Sequence, residues 1–117
     1  MKYMLLIYSN PESWAVMSRE MDRVWSEHYA LNDEITASGE AVGGQVLSDP
    51  AHTRTVRLRD GSAAVTDGPF AETKEHLAGF YLVECDSTER AVEIAARIPD
   101  AKYNAVEVRP IVETTGP

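Results

Sequence analysis

Only one cysteine occurs among the 117 residues. No internal disulfide can form, and Cys85 has no companion thiol for a zinc site. No apolar run approaches the roughly 20 residues that a membrane-spanning helix needs, so membrane insertion is not expected. Basic side chains are few: 11 Lys and Arg against 19 Asp and Glu leave a net charge of −8. That field repels phosphate backbones and anionic lipid, which argues against nucleic acid and membrane surfaces as partners. The opening "MKYMLLIYSN" carries one lysine and no small-residue cleavage pattern, so it reads as a first strand instead of an export signal, and a cytoplasmic location is expected. There is no phosphate-binding glycine loop, nicotinamide fingerprint or nucleophile elbow. No two of the three histidines have metal-ligand spacing. Neither a cofactor nor a metal is therefore expected. Repeats, low-complexity segments and linkers are also missing, which leaves a single domain over residues 1–117.

What is present is periodicity. "KYMLLIY" (2–8) is nearly continuous in apolar residues, the pattern of a central strand covered on both faces. After "SNPESW", read as a loop, Met17, Met21, Val24, Trp25, His28, Leu31 and Ile35 recur at three- and four-residue steps. That spacing predicts a helix which Ser18 caps and Gly39 ends. Strands are predicted over 43–49, 53–59 and 62–68, with "RDG" between the last two as a hairpin signal. "GFYLVEC" (79–85) is a further strand, whose end places Cys85 as a packed thiol rather than a nucleophile. "DSTERAVEIAARI" predicts a second helix, with Asp86 and Glu89 as a capping box, an apolar stripe of Ala91, Val92, Ala95 and Ile98, and Pro99 as its stop. "NAVEVRPIV" (104–112) closes the chain as a strand. The order β, α, β hairpin region, β, α, β is the split βαβ arrangement of a ferredoxin-like α+β sandwich. Two helices cover only one sheet face, so a second copy is expected on the other, as a homodimer.

The stretch "TDGPFAETKE" (66–75) sets a tight turn beside several ionisable side chains. Asp67 can accept from backbone N–H groups just ahead, Gly68 can take positive φ, and Pro69 fixes its own φ and restrains Gly68. Phe70 follows as an aromatic plug. Structure alone explains an Asp-Gly-Pro turn. The functional alternative places Asp67 and Glu72 at a pocket mouth, with Lys74 supplying positive charge for an anionic substrate.

"VTDGPFAETKE", "GFYLVE", a helix of the "AVEIAARIP" type and "VEVRPI" follow one another in an order that resembles the DGPF branch of the YCII-related proteins, from "KYMLLIY" to "VRPI". The resemblance implies a ferredoxin-like fold paired as a dimeric α/β barrel, a cleft at the sheet face, and a frequent genomic link to extracytoplasmic-function sigma factors. It also implies an active-site histidine on the first helix together with an aspartate. His28, eleven positions before Gly39, matches the histidine spacing. Asp67 is the partner favoured, with Asp33 and Asp49 as alternatives.

His28 shares the stripe of Val24, Trp25 and Ile35 and so faces the sheet, where a satisfied core histidine is the plain alternative to a catalytic one. An imidazole beside a carboxylate works as a general acid or base. His52 and His76 fall in loop-like surroundings and read as solvated. Glu107 and Arg109, two apart on the last strand, leave the same face. Arg109 is a candidate clamp for a substrate carboxylate, although a structural or interface role carries more weight for a buried arginine. Trp14 and Trp25 read as core or interface anchors rather than stacking platforms. Two functions remain. One is a small cofactor-independent enzyme that moves a proton on a small organic acid or amide-like substrate, with His28 and Asp67 as catalytic residues and Glu72, Lys74 and Arg109 contacting substrate. The other is a non-catalytic dimeric module that binds a metabolite or serves a sigma-factor pathway.

Overall fold

The computed structural model describes residues 1–70 and 74–113. Strand β1 (Lys2–Ser9) alternates strictly between half-buried and buried positions. Tyr3, Leu5, Ile7 and Ser9 turn toward the helices, and Lys2, Met4, Leu6 and Tyr8 turn to the opposite face. The continuous apolar run is thus covered by this chain on one face only. β1 lies between β5 (His76–Glu84) and β6 (Ala105–Pro110), and β2 (Ala41–Val46) pairs with the outer side of β5. Each neighbouring pair is antiparallel. Helix α1 (Pro11–Met17), a 3-10 turn (Ser18–Glu20) and helix α2 (Met21–Ala37) connect β1 to β2, while α3 (Thr88–Arg97) and α4 (Asp100–Tyr103) connect β5 to β6. The result is a mixed α+β fold with antiparallel sheets, consistent with the ferredoxin-like arrangement. No helix among the described residues is long and apolar enough to cross a membrane. Leu31 and Ile35 of α2 meet Ala91, Ile94 and Ala95 of α3 and Ile98 over Tyr3, Leu5, Ile7 and Val83. Each buried Leu or Ile there stabilises by about 1.5–3 kcal/mol.

β3 (Arg54–Arg59) and β4 (Ser62–Asp67) form a separate two-stranded sheet. Its turn is Asp60–Gly61, with φ of 51° and 77°, the geometry of a tight two-residue hairpin.

Several local expectations are corrected. The stretch read as a loop holds α1, because Asn10 caps it by accepting from Ser13 N at 2.8 Å, Ser13 Oγ accepts from Asn10 N at 3.1 Å, and Pro11 occupies the first turn. Ser18 does not cap α2; its hydroxyl donates back to Ala15 O at 3.1 Å, and α2 continues from the 3-10 turn without a side-chain cap. α3 is capped by Ser87, which accepts from Arg90 N at 3.1 Å, in place of Asp86. Ile94 takes the buried place expected of Val92, which is exposed. Pro99 ends α3 but also opens α4, an element too short to show a periodicity.

Candidate active-site cleft

Between the α1–α2 segment and the β2–β5 side of the sheet lies a cleft of about 1240 Å³. Three side chains from three elements meet at its floor. His28 projects from α2, Tyr81 from the middle of β5, and Asp100 from the first residue of α4. His28 Nε2 is 2.7 Å from Asp100 Oδ1, and His28 Nδ1 is 2.5 Å from the Tyr81 hydroxyl. The His28 and Asp100 side chains are only 15% and 12% exposed. The Tyr81 ring stacks on the imidazole with centroids 5.8 Å apart.

These contacts fix the direction of the hydrogen bonds. A carboxylate only accepts, so Nε2 carries the proton facing Asp100. In a neutral ring Nδ1 is then an acceptor, and Tyr81 donates to it. Both nitrogens of His28 are occupied within the chain. The Tyr81 oxygen keeps unused lone-pair capacity and lines the cleft, so it can still accept a hydrogen bond from a bound molecule. Burial, with the nearby charge of Asp100 second, pushes the Tyr81 phenol up to about 12, so it stands as a protonated donor at neutral pH. An arrangement of this kind can pass a proton between a ligand and the imidazole through the phenol, while the carboxylate stabilises the imidazolium that forms.

Asp100 is held in place by ties at the C-terminal end of α4. The Tyr103 hydroxyl donates to Glu20 ahead of α2, and Arg23 of α2 donates to Tyr103 at 3.0 Å. Just beyond α4, Asn104 donates to Tyr8 O at 3.1 Å and to Glu75 at 2.9 Å. Asn104 N closes the helix on Asp100 O at 2.9 Å. A four-residue helix has little stability of its own; these side-chain ties to α2, β1 and the segment before β5 set its position across from His28.

The expected partnership of His28 with Asp67 is not formed. Asp67 ends β4 on the separate hairpin, where its carboxylate pairs with Arg54 Nε at 3.2 Å and is largely exposed. The cause is the course of the chain, since β3 and β4 pair with each other and not with the main sheet. Asp33 is exposed on α2, and Asp49 lines the cleft but spends an oxygen on Ala51 N at 2.8 Å. Gly68 has the expected positive φ, 91°, and its N–H donates to Thr53 O at 2.8 Å. Phe70 is no plug: it is exposed, with the Arg57 guanidinium 4.7 Å from its ring centroid. Glu72 lies outside the described residues. Lys74 does line the cleft, as does His76, which opens β5 instead of sitting in a loop. Arg109 is on the other face of the sheet, paired in register with Met4. Glu107 beside it binds the Tyr8 hydroxyl and raises the Tyr8 phenol above its usual range, so Arg109 is not brought together with His28. Trp14 and Trp25 are half exposed along the cleft rather than buried as core. Cys85 is buried, with its thiol directed at Ser87 O, and burial pushes that thiol up.

Two residues of this cluster escaped the sequence reading. Tyr81 sits two before Val83 in "GFYLVE", and the same-face rule for strands places it toward the helices. Asp100 follows Pro99, a proline-then-acid start of a helical turn.

Two comparisons bear on this site. A family model described as the YCII-related domain matches residues 1–115. A protein of Rhizobium meliloti (strain 1021), itself named as uncharacterised, is 34% identical over 114 residues, covering 95% of this chain and 92% of that protein.

Proposed function

The chain belongs to the YCII-related family, and from the geometry of its cleft we propose that it is a small cofactor-independent acid–base enzyme acting on a small organic acid or amide-like substrate. The observation that carries this is the clamping of His28 between a carboxylate and a phenol at the floor of a large cleft. In the step proposed, the Tyr81 oxygen accepts a proton from the substrate as its own proton passes to His28 Nδ1. Asp100 stabilises the resulting imidazolium, and the return of the proton restores the resting state. Lys74, at the cleft, favours a substrate with negative charge.

The tetrapeptide Asp67, Gly68, Pro69 and Phe70 supports assignment to the DGPF branch, where it serves to shape the hairpin base. We place the working unit in a homodimer, closed as an α/β barrel through the sheet face away from the helices. Met4 and Leu6 stand opposite Leu82 and Phe80 there, a row of apolar side chains that one chain leaves only half-buried. Val56, Leu58 and Val65 of the hairpin are also exposed, and a lone two-stranded hairpin is marginal in water.

Proton NMR in deuterated water tests the chemistry. The protein is incubated with a set of small carbonyl, hydroxy and amide acids, and the loss of C–H signals is followed. Exchange that disappears in His28→Gln is the expected result. Exchange indifferent to His28→Gln overturns the assignment. No exchange at all, with His28→Gln only less stable, makes the trio a core network and favours the binding-module reading.

A further inference from the structure

Taking its orientation from the acid–base reading of Tyr81, the geometry points to a flat aromatic ring as the ligand of this cleft, one that presents a donating hydroxyl to the Tyr81 oxygen. Three observations carry the inference. The first is the floor. Gly44 stands opposite Tyr81, and Gly79 opposite Val46; both line the cleft. A Cβ at Gly44 would fall 2.7 Å from Phe80 O, and one at Gly79 would fall 2.7 Å from Gln45 O. The two strands therefore approach too closely there for any side chain, and the sheet beside Tyr81 is bare backbone. A bare, flat floor fits a thin planar group.

The second is the wall. Trp14, Trp25 and Tyr29 line the same cleft while 50%, 38% and 64% exposed. Their rings continue the trio, with Trp25 5.7 Å from His28 and 6.0 Å from Tyr29. Tryptophan is highly buried on average, so two of them and a tyrosine exposed along one cleft form a stacking surface, and aromatic rings prefer offset or edge-to-face partners at these separations. The third is the polar economy. With both nitrogens of His28 taken by Asp100 and Tyr81, and the Tyr81 proton committed to Nδ1, the oxygens that Tyr81 and Asp100 keep at the cleft only accept, so a ring substituent addresses them by donating. A phenolic hydroxyl meets that requirement. The volume exceeds what a single ring fills, since small-ligand pockets run to about 300–1,000 Å³, and two fused rings are accommodated.

The test uses 2-naphthol and trans-2-decalol, which share a carbon skeleton and a hydroxyl but differ in planarity. The chain has two tryptophans and both line the cleft, so their indole N–H signals in a 15N-labelled sample report occupancy directly. We expect 2-naphthol to shift both indole signals saturably, with decalol binding about tenfold more weakly, the scale of an aromatic contact. Trp14→Leu, at a half-exposed position, weakens naphthol by about the same factor, and Tyr81→Phe weakens it through the lost oxygen contact. His28→Gln separates the two proposals: naphthol binding persists there while C–H exchange is lost. Equal binding of naphthol and decalol overturns the inference, as do indole signals that neither compound moves. Should Trp14→Leu fail to fold, the comparison of the two compounds on the unaltered protein and on Tyr81→Phe still decides.

Discussion

The direction of the hydrogen bonds through His28 makes a quantitative prediction about two residues on opposite sides of the ring. Asp100 and Tyr81 each bond a different nitrogen, at 2.7 Å and 2.5 Å. If Asp100 holds the ring with Nε2 protonated, it also makes Nδ1 the stronger acceptor, and the Tyr81 bond depends on the carboxylate that Tyr81 does not touch. Tyr81→Phe leaves the Nδ1 lone pair shielded and unpaired, at a cost of about 1–3 kcal/mol. Asp100→Asn removes a charge-assisted bond from a residue 8% exposed, at about 1.5–3 kcal/mol. In the double variant the two costs do not add. Without the carboxylate the ring is a weaker acceptor, so Tyr81→Phe costs less there, and a coupling of about 0.5–2 kcal/mol is expected for residues sharing one network. Urea unfolding of the four proteins measures it, and long-range 15N spectra of His28 identify the protonated nitrogen in each. Additivity to within about 0.3 kcal/mol, or a wild-type ring protonated on Nδ1, refutes the reasoning.

Strands and helices were legible because their periodicities extend over whole elements. β1 is apolar along nearly its whole length and α2 keeps its apolar spacing from Val24 to Leu31 to Ile35, so the order of the main strands and helices could be read directly. His28 could be placed on the sheet-facing side of α2 by the same spacing. Its partner could not. Asp100 lies 72 positions away on a single helical turn, and its approach depends on Tyr103, Glu20, Arg23 and Asn104 docking α4 against other elements. Such tertiary ties leave no local pattern. The choice of Asp67 followed the turn chemistry correctly, since Gly68 does take positive φ, but turn chemistry says nothing about where a hairpin goes. The pairing of β3 with β4 alone sends that turn away from the trio. Of the two places read for the tryptophans, core and interface, the core is not where they lie, since both border the cleft, 50% and 38% exposed.

Three further outcomes follow from the structure. Glu40 takes a two-pronged bond from Arg90, both contacts 2.8 Å, and Arg90, with Ser38 second, holds its carboxyl down at about 2. A depressed carboxylate stabilises above its ordinary pKa, so this contribution is present at neutral pH and is lost as pH falls from about 4.5 toward 2. With Arg90 33% exposed and solvent screening the pair, Glu40→Gln should cost about 1–2 kcal/mol at pH 7. A gap between the two proteins' unfolding curves that does not shrink at pH 3 contradicts the linkage. Gly44→Ala forces β2 and β5 apart and should cost about 1–3 kcal/mol, whereas Gly43→Ala, whose Cβ would meet nothing within 4 Å, should be close to neutral; equal melting temperatures for the two would remove the close-approach argument. The homodimer is tested by sedimentation equilibrium of the wild type and of Leu82→Glu. Leu82 is half buried in the single chain, so a carboxylate there costs the monomer little, but a face closed by a second copy would bury that charge unpaired, at several kcal/mol per ion. The wild type should therefore sediment at twice 12.9 kDa and Leu82→Glu at half of that, with an unchanged fold by circular dichroism. A wild type that stays monomeric at high micromolar concentration leaves the apolar row on β1 and β5 without its partner and rules out the barrel.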